Sequence, residues 1–250
     1  MNATNFHWLP QSNANLTFHT PGGDLLPAQL AQDIAQRLAA AIGERGVAVL
    51  GVSGGKSPIA LFQALRVQAI DWHNVRVTLV DERCVPCTSP HSNAWLVQTH
   101  LLQDNAGAAS FVPMVSDTTQ TLAPPRVLAR AASLALQAAG TADVLVLGMG
   151  ADGHTASLFP DALNLREALD PHNPHACVAI ELAQPPANAP FQRISQTLAQ
   201  LLRARHIVLP VGGTDKLATL RLACVSATDA YPVSYLLHQT QTPVALWMTP

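Results

Sequence analysis

Four apolar runs in this chain each stop abruptly at a glycine-rich or charged turn. Gly46–Val52 runs into Ser53-Gly54-Gly55-Lys56-Ser57-Pro58, and Val75–Val80 delivers Asp81-Glu82-Arg83. Val144–Leu147 stops at Gly148-Met149-Gly150-Ala151-Asp152-Gly153-His154, and His206–Val211 runs into Gly212-Gly213-Thr214-Asp215-Lys216. A short run that is apolar at nearly every position, with Arg76 and Thr78 the exceptions in Val75–Val80, suits a strand covered on both faces, as in a parallel sheet. Helical spacing lies between the runs, at Leu30, Ile34, Leu38 and Ile42, and again at Leu61, Phe62 and Leu65. Alternating strands and helices predict an α/β fold: a mostly parallel sheet with helices on both faces.

Weaker signals fill the gaps. Residues 6–20 read as two short strands around the polar turn 11–15, and Asp24 opens the first long helix. Ser92 or Asn93 caps a helix over Ala94–Leu102, and Pro124-Pro125 precedes an alanine-rich helix ending at Gly140. Thr155 and Ser157 are expected to open a helix directly after the third glycine turn. Cys177–Leu182 and Val244–Met248 read as further strands, and 183–190 as a proline-rich loop. No composition shift or repeat divides the chain, so residues 1–250 are expected to form a single domain.

Composition narrows the function classes. Of 250 residues, 48% are hydrophobic and only 12% charged, with a formal net charge of -2. So low and balanced a charge argues against a nucleic-acid partner. No apolar run is long enough to span a membrane, and the amino terminus lacks the basic and apolar regions of a secretory signal. A cytoplasmic location is the expectation. Four cysteines do not make a disulfide framework. Cys84 and Cys87 have C-x-x-C spacing, but Pro86 and Pro90 place them in an extended loop, and no second ligand pair follows for zinc.

All four polar turns follow the carboxyl ends of strands, which share one edge in a parallel sheet. Open α/β sheets bind ligands at that edge. The glycines of Ser53-Gly54-Gly55-Lys56 offer N–H groups near a helix start, a plain anion site, although no nucleotide P-loop pattern is present. Arg83 and Lys216 bring cations to the same edge, so a small phosphorylated substrate is expected. His154 beside the carboxylate of Asp152 is the natural general base.

Three segments together resemble the 6-phosphogluconolactonase family: Ser53-Gly54-Gly55; Asp81-Glu82-Arg83 with Val85-Pro86 and Ser92-Asn93; and Gly148 to Pro160, which reads GMGADGHTASLFP. The similarity extends to Arg193 and to Gly213–Lys216. It implies a Rossmann-like three-layer α/β/α sandwich and hydrolysis of 6-phosphogluconolactone to 6-phosphogluconate in the oxidative pentose phosphate pathway. The family's reaction uses neither metal nor cofactor, and its partner is the small sugar-phosphate lactone. On this reading His154 and Asp152 are catalytic, and Ser53, Gly54, Gly55, Lys56, Arg83, Asn93, Arg193 and Lys216 bind substrate. Backbone N–H groups around Gly148, Gly150 and Gly153, or Asn93, are candidates to receive the oxyanion. The chain departs from the family pattern at Lys56, where a small hydroxyl residue is common, and at Asp161, where glycine is usual.

Two other functions share the fold. The related amino-sugar phosphate isomerases and deaminases follow their Asp-Gly-His with a segment containing Asn-Glu, and here Ala156-Ser157-Leu158-Phe159 has no carboxylate. A sugar-phosphate-sensing regulatory domain would require a helix-turn-helix module, which the sequence does not supply.

Overall fold

A computed structural model of the protein describes residues 8–9, 13–115, 123–184 and 191–249. Seven strands form one sheet: β1 (Leu16–His19), β2 (Ala48–Val52), β3 (Val75–Leu79), β5 (Ser110–Val112), β6 (Val144–Val146), β9 (Ile207–Gly212) and β10 (Val244–Thr249). Their order is β1-β10-β9-β6-β2-β3-β5, and every neighbouring pair is parallel. Three more strands, β4 (Asp81–Arg83), β7 (Cys177–Ile180) and β8 (Arg193–Gln196), pair antiparallel in the order β4-β8-β7.

Alternate side chains of the large sheet enter two separate cores. Leu50, Val52, Val144 and Val146 pack on one face with Leu30, Ile34 and Leu38 of helix α1 (Leu26–Arg45) and with Phe62 of α2 (Ile59–Leu65). Helices α3 (Asn93–His100) and α4 (Pro125–Ala139) add Val97, Leu128 and Leu136 to that face. Leu145, Leu147 and Leu209 face the other way, against Leu158, Leu165, Leu201, Leu220 and Leu236. Those residues belong to the 155–160 turn, to α5 (Leu165–Ala168), α6 (Leu198–Leu201), α7 (Thr214–Ala223) and α8 (Ser234–His238). Two apolar layers around one sheet are the three-layer α/β/α sandwich expected from the alternation of strands and helices. No helix among the described residues is long and apolar enough to cross a membrane.

Three expectations need correction. First, no helix opens at Thr155 and Ser157. Ala156 has φ +49, outside helical space, and antiparallel bridges join Met149 to Thr155 and Thr155 to Leu158. The next helix begins only at Leu165. Second, Asp81-Glu82-Arg83 is not a turn; it is a strand with Asp81 6% and Glu82 1% exposed. Third, Arg193 opens a strand, Arg193–Gln196, although the sequence gives no strand signal between Leu182 and His206. In the first twenty residues only Leu16–His19 is a strand; 1–7 and 10–12 lie outside the described residues, as do 185–190 of the proline-rich loop.

Candidate active site

The order of the large sheet creates its own ligand position. The chain runs from β2 to β3 on one side, yet β6 pairs with the opposite side of β2. That reversal separates the following loops and opens a crevice at the carboxyl ends of β2 and β6. The loops are Ser53-Gly54-Gly55-Lys56 and Gly148 to His154. Two bonds tie them together: Ser53 N–H donates to the Val146 carbonyl (2.9 Å), and Gly148 N–H donates to Ser53 Oγ (3.1 Å).

His154 and Asp152 meet at this crevice. His154 Nδ1 lies 2.6 Å from Asp152 Oδ1, and the same oxygen accepts the His154 backbone N–H at 3.2 Å. Burial pushes the Asp152 carboxyl up, but the bond and charge of His154 outweigh it and hold the carboxyl below its usual range. An ionised carboxylate only accepts, so Nδ1 carries a proton, and in the neutral ring it is Nε2 that has the lone pair. The pair is partly open to solvent, with side chains 29% and 51% exposed. Gly150 makes the pairing possible, since a Cβ there would lie 2.2 Å from Nδ1.

A cation site adjoins the pair. Arg83 of β4 stands directly opposite Arg193 of β8. Like charges in that position repel unless something intervenes. Arg83 donates to the His91 carbonyl (2.6 Å), and the Arg193 guanidinium lies 5.2 Å from the Phe159 ring centroid. Burial lowers the Arg193 pKa, Asp81 opposes that, and the Arg83 charge adds to it. An anion bound between the two guanidiniums would remove their repulsion. The Phe159 ring also packs 4.4 Å from the His154 ring, so it joins cation site and histidine.

Buried polar bonds hold these parts in register. Ser157 Oγ donates to Asp81 Oδ2 (2.5 Å), and Ser157 N–H donates to Ser195 Oγ (3.2 Å). Asn93 Nδ2 donates to the Asp81 carbonyl (2.9 Å) and to Asp81 Oδ1 (3.2 Å). Its Oδ1 presses on the glycine loop so closely that a Cβ on Gly54 would lie 1.8 Å away. Asn93 is 1% exposed, which makes it a spacer between loop and strand and leaves no free amide hydrogen for an oxyanion. Glu82 Oε1 accepts N–H groups of Arg83 (2.7 Å) and Asn93 (2.8 Å), while Oε2 accepts Ser92 Oγ (2.9 Å) and the Ala94 N–H (2.8 Å). A carboxylate thus caps α3, and burial pushes its pKa up against those four donors.

The other expected positions divide. Among the described residues, the N–H groups of Gly54 and Gly55 take no partner within the protein, which suits an anion loop. Lys56 is exposed beside them. Lys216 lies in the first turn of α7, one turn before Thr219, whose hydroxyl donates to the Ala151 carbonyl (2.7 Å). The turn amides are less available than the sequence suggests. Gly148 N–H is bound to Ser53; Gly150 N–H donates to the His154 carbonyl (2.9 Å), and Gly153 N–H to the Gly150 carbonyl (3.1 Å). Sequence reasoning missed Phe159, Asp81, Ser157 and Ser195. Phe159 reads as core, and the Asp81–Ser157 bond spans 76 positions without a local signal. Cys84 and Cys87 are free thiols, and burial pushes Cys84 up to about 11, wrong for a redox nucleophile.

A cavity of about 1220 Å³ lies elsewhere, lined by Arg130, Glu167, His175 and Arg203 among others. Neither His154 nor either arginine of the cation site opens onto it.

Comparison with known proteins places the chain in a family. Residues 22–247 match the family model described as glucosamine-6-phosphate isomerases/6-phosphogluconolactonase. A 6-phosphogluconolactonase of Neisseria meningitidis serogroup A is 42% identical over 211 residues, covering 84% of this chain and 88% of the relative. One from Rhizobium meliloti is 40% identical over 226 residues, covering 90% and 94%. The crystal structure of a 6-phosphogluconolactonase from Shewanella baltica superposes with TM-score 0.87 at 36% identity, covering 97% of this chain and all of that one. A family match over most of the chain, relatives of 40–42% identity and a shared fold lead to one conclusion: the chain belongs to the glucosamine-6-phosphate isomerase/6-phosphogluconolactonase family.

Proposed function

We propose that the protein hydrolyses 6-phospho-D-glucono-1,5-lactone to 6-phospho-D-gluconate, the lactonase step of the oxidative pentose phosphate pathway. The observation that carries this reading is the His154–Asp152 pair sharing the Phe159 ring with an arginine from an opposed guanidinium pair. Such a site suits an uncharged ester at one end and a phosphate at the other. The 40–42% identity to curated 6-phosphogluconolactonases supports the same substrate.

In this mechanism Arg83, Arg193 and the Gly54–Gly55 amides hold the phosphate, with Lys56 and Lys216 adding positive charge. Ser53 fixes the phosphate loop against the catalytic turn. His154 Nε2 takes a proton from water as the water oxygen bonds to C1, and the carbonyl electrons move onto oxygen. Asp152 holds the Nδ1–H and stabilises the imidazolium. Collapse of the tetrahedral intermediate breaks the bond from C1 to the ring oxygen, which takes the Nε2 proton. Residues 155–159 hold no carboxylate, which favours hydrolysis over isomerisation.

The test is loss of freshly generated 6-phosphogluconolactone, followed by acid release with chelator in excess. The parent protein should accelerate it well beyond the buffer rate. His154→Ala should lower kcat by about 10²–10⁴-fold, as loss of a general base does. A parent no faster than buffer would end the lactonase reading; full turnover in the alanine variant would end the base assignment alone.

A further inference from the structure

Phe159 is 6% exposed and belongs to the core cluster containing Leu158 and Leu165, yet its ring touches both working ends of the site. The His154 ring tilts against it at 39° and 4.4 Å, and the Arg193 guanidinium lies over it at 5.2 Å. A cation favours an aromatic face, and a tilted ring pair is a favourable geometry. The ring has little freedom of its own. Leu158 beside it is fully buried, and two residues upstream Ser157 is bonded to both β4 and β8, through Asp81 and Ser195.

We propose that Phe159 is a positioning residue that sets the spacing between the phosphate grip at Arg193 and the proton acceptor at His154. This rests on the lactonase reading above. A phosphate held by Arg193 is thereby held at a fixed distance from His154, and the lactone carbon is carried to the water that His154 activates. Binding energy from the phosphate, remote from the reacting bond, is used to orient the ester. A lactone without phosphate cannot use the ring in this way, although it still meets His154. The coupling therefore appears as a preference between two substrates, which a purely structural residue would not change.

Phe159→Leu keeps an apolar side chain and removes the aromatic face; Phe159→Tyr keeps the ring. kcat and KM are measured for the phosphorylated lactone and for glucono-1,5-lactone, with folding checked by circular dichroism. In Phe159→Leu the ratio of kcat/KM values, phosphorylated over unphosphorylated, should fall about 10–100-fold, chiefly through kcat on the phosphorylated substrate. Phe159→Tyr should restore the ratio to within a few fold of the parent. Equal losses on both substrates, or an unchanged ratio, would overturn the proposal while leaving a parent active on the phosphorylated lactone as a lactonase. If Phe159→Leu does not fold, Phe159→Met supplies the same comparison with a side chain that fills irregular gaps. A second readout needs no turnover: inorganic phosphate should shift the His154 ring-proton resonances in the parent and in Phe159→Tyr, but not in the ring-less variant. A shift of the same size in the ring-less variant would also overturn it.

Discussion

At Gly150 an added Cβ would lie 2.2 Å from His154 Nδ1 and 2.4 Å from Asp152 Oδ1. Gly150→Ala therefore separates histidine and carboxylate without removing either. Losing the bond that fixes tautomer and orientation should lower kcat by about 10–100-fold, the scale of a misplacement near 1 Å. Binding of 6-phosphogluconate, followed by calorimetry, should change little, because the cation site is untouched. A kcat within twofold of the parent would mean that the pairing does not matter to the reaction. At this scale the sequence was informative where chemistry and glycine coincide: His154, Asp152 and Gly150 stand within five positions. It was silent on Phe159, whose apolar neighbours Leu158 and Pro160 make it resemble ordinary core. It was misleading on Asn93, since nothing local says that its amide turns inward to Asp81.

Among the elements, β2, β6 and β9 were legible because each is a near-continuous apolar run that stops at a glycine turn, and β3 was legible despite Arg76 and Thr78, whereas β1 and β5 carry weaker patterns. The small sheet was not legible. β4 consists of Asp81, Glu82 and Arg83, and β8 reads Arg-Ile-Ser-Gln; neither pattern suggests burial. Glu82 meets Ser92, Asn93 and Ala94 only through the fold of the intervening loop, and Asp81 meets Ser157 from 76 positions away, so no pattern within β4 itself contains the reason. Glu82 tests this account. In Glu82→Gln one oxygen becomes an NH2 group, which would face the Ser92 hydroxyl or the Ala94 N–H donor. At least one buried donor then loses its acceptor, which costs about 1–3 kcal/mol. Thermal unfolding should shift down by about 2–4 °C for each kcal/mol. Arg83 follows Glu82 directly, so KM for the phosphorylated lactone should rise as well. An unchanged Tm would show that the four bonds contribute nothing net to the cap.

For the whole molecule, the reversal of strand order between β2 and β6 puts the candidate site at one edge, and the opposite edge carries none of its residues. The alternation of strands and helices implied the layers, but not that β6 would pair beside β2; that choice depends on packing across 90 residues of chain. The quiet edge holds a titration that should report on folding without touching the site. His206 precedes β9 at the amino ends of the strands, is 8% exposed, and its Nε2 has no partner among the described residues. Burial lowers its pKa to about 4; Arg37 and His19 add to the shift and Asp33 opposes it. The unfolded chain binds a proton near 6.5 and the folded one only near 4. Between those values the unfolded state carries more protons, so stability rises with pH. Stability from this source is full above about pH 6.5 and is lost progressively as pH falls, the loss reaching about 3 kcal/mol by pH 4. His206→Leu removes the titrating group. Whatever its stability at neutral pH, its urea unfolding free energy should fall less steeply between pH 6.5 and 4 than that of the parent. Parallel slopes would mean that His206 is protonated in the folded protein after all, and that the apolar surroundings of the sheet's amino edge admit a charge.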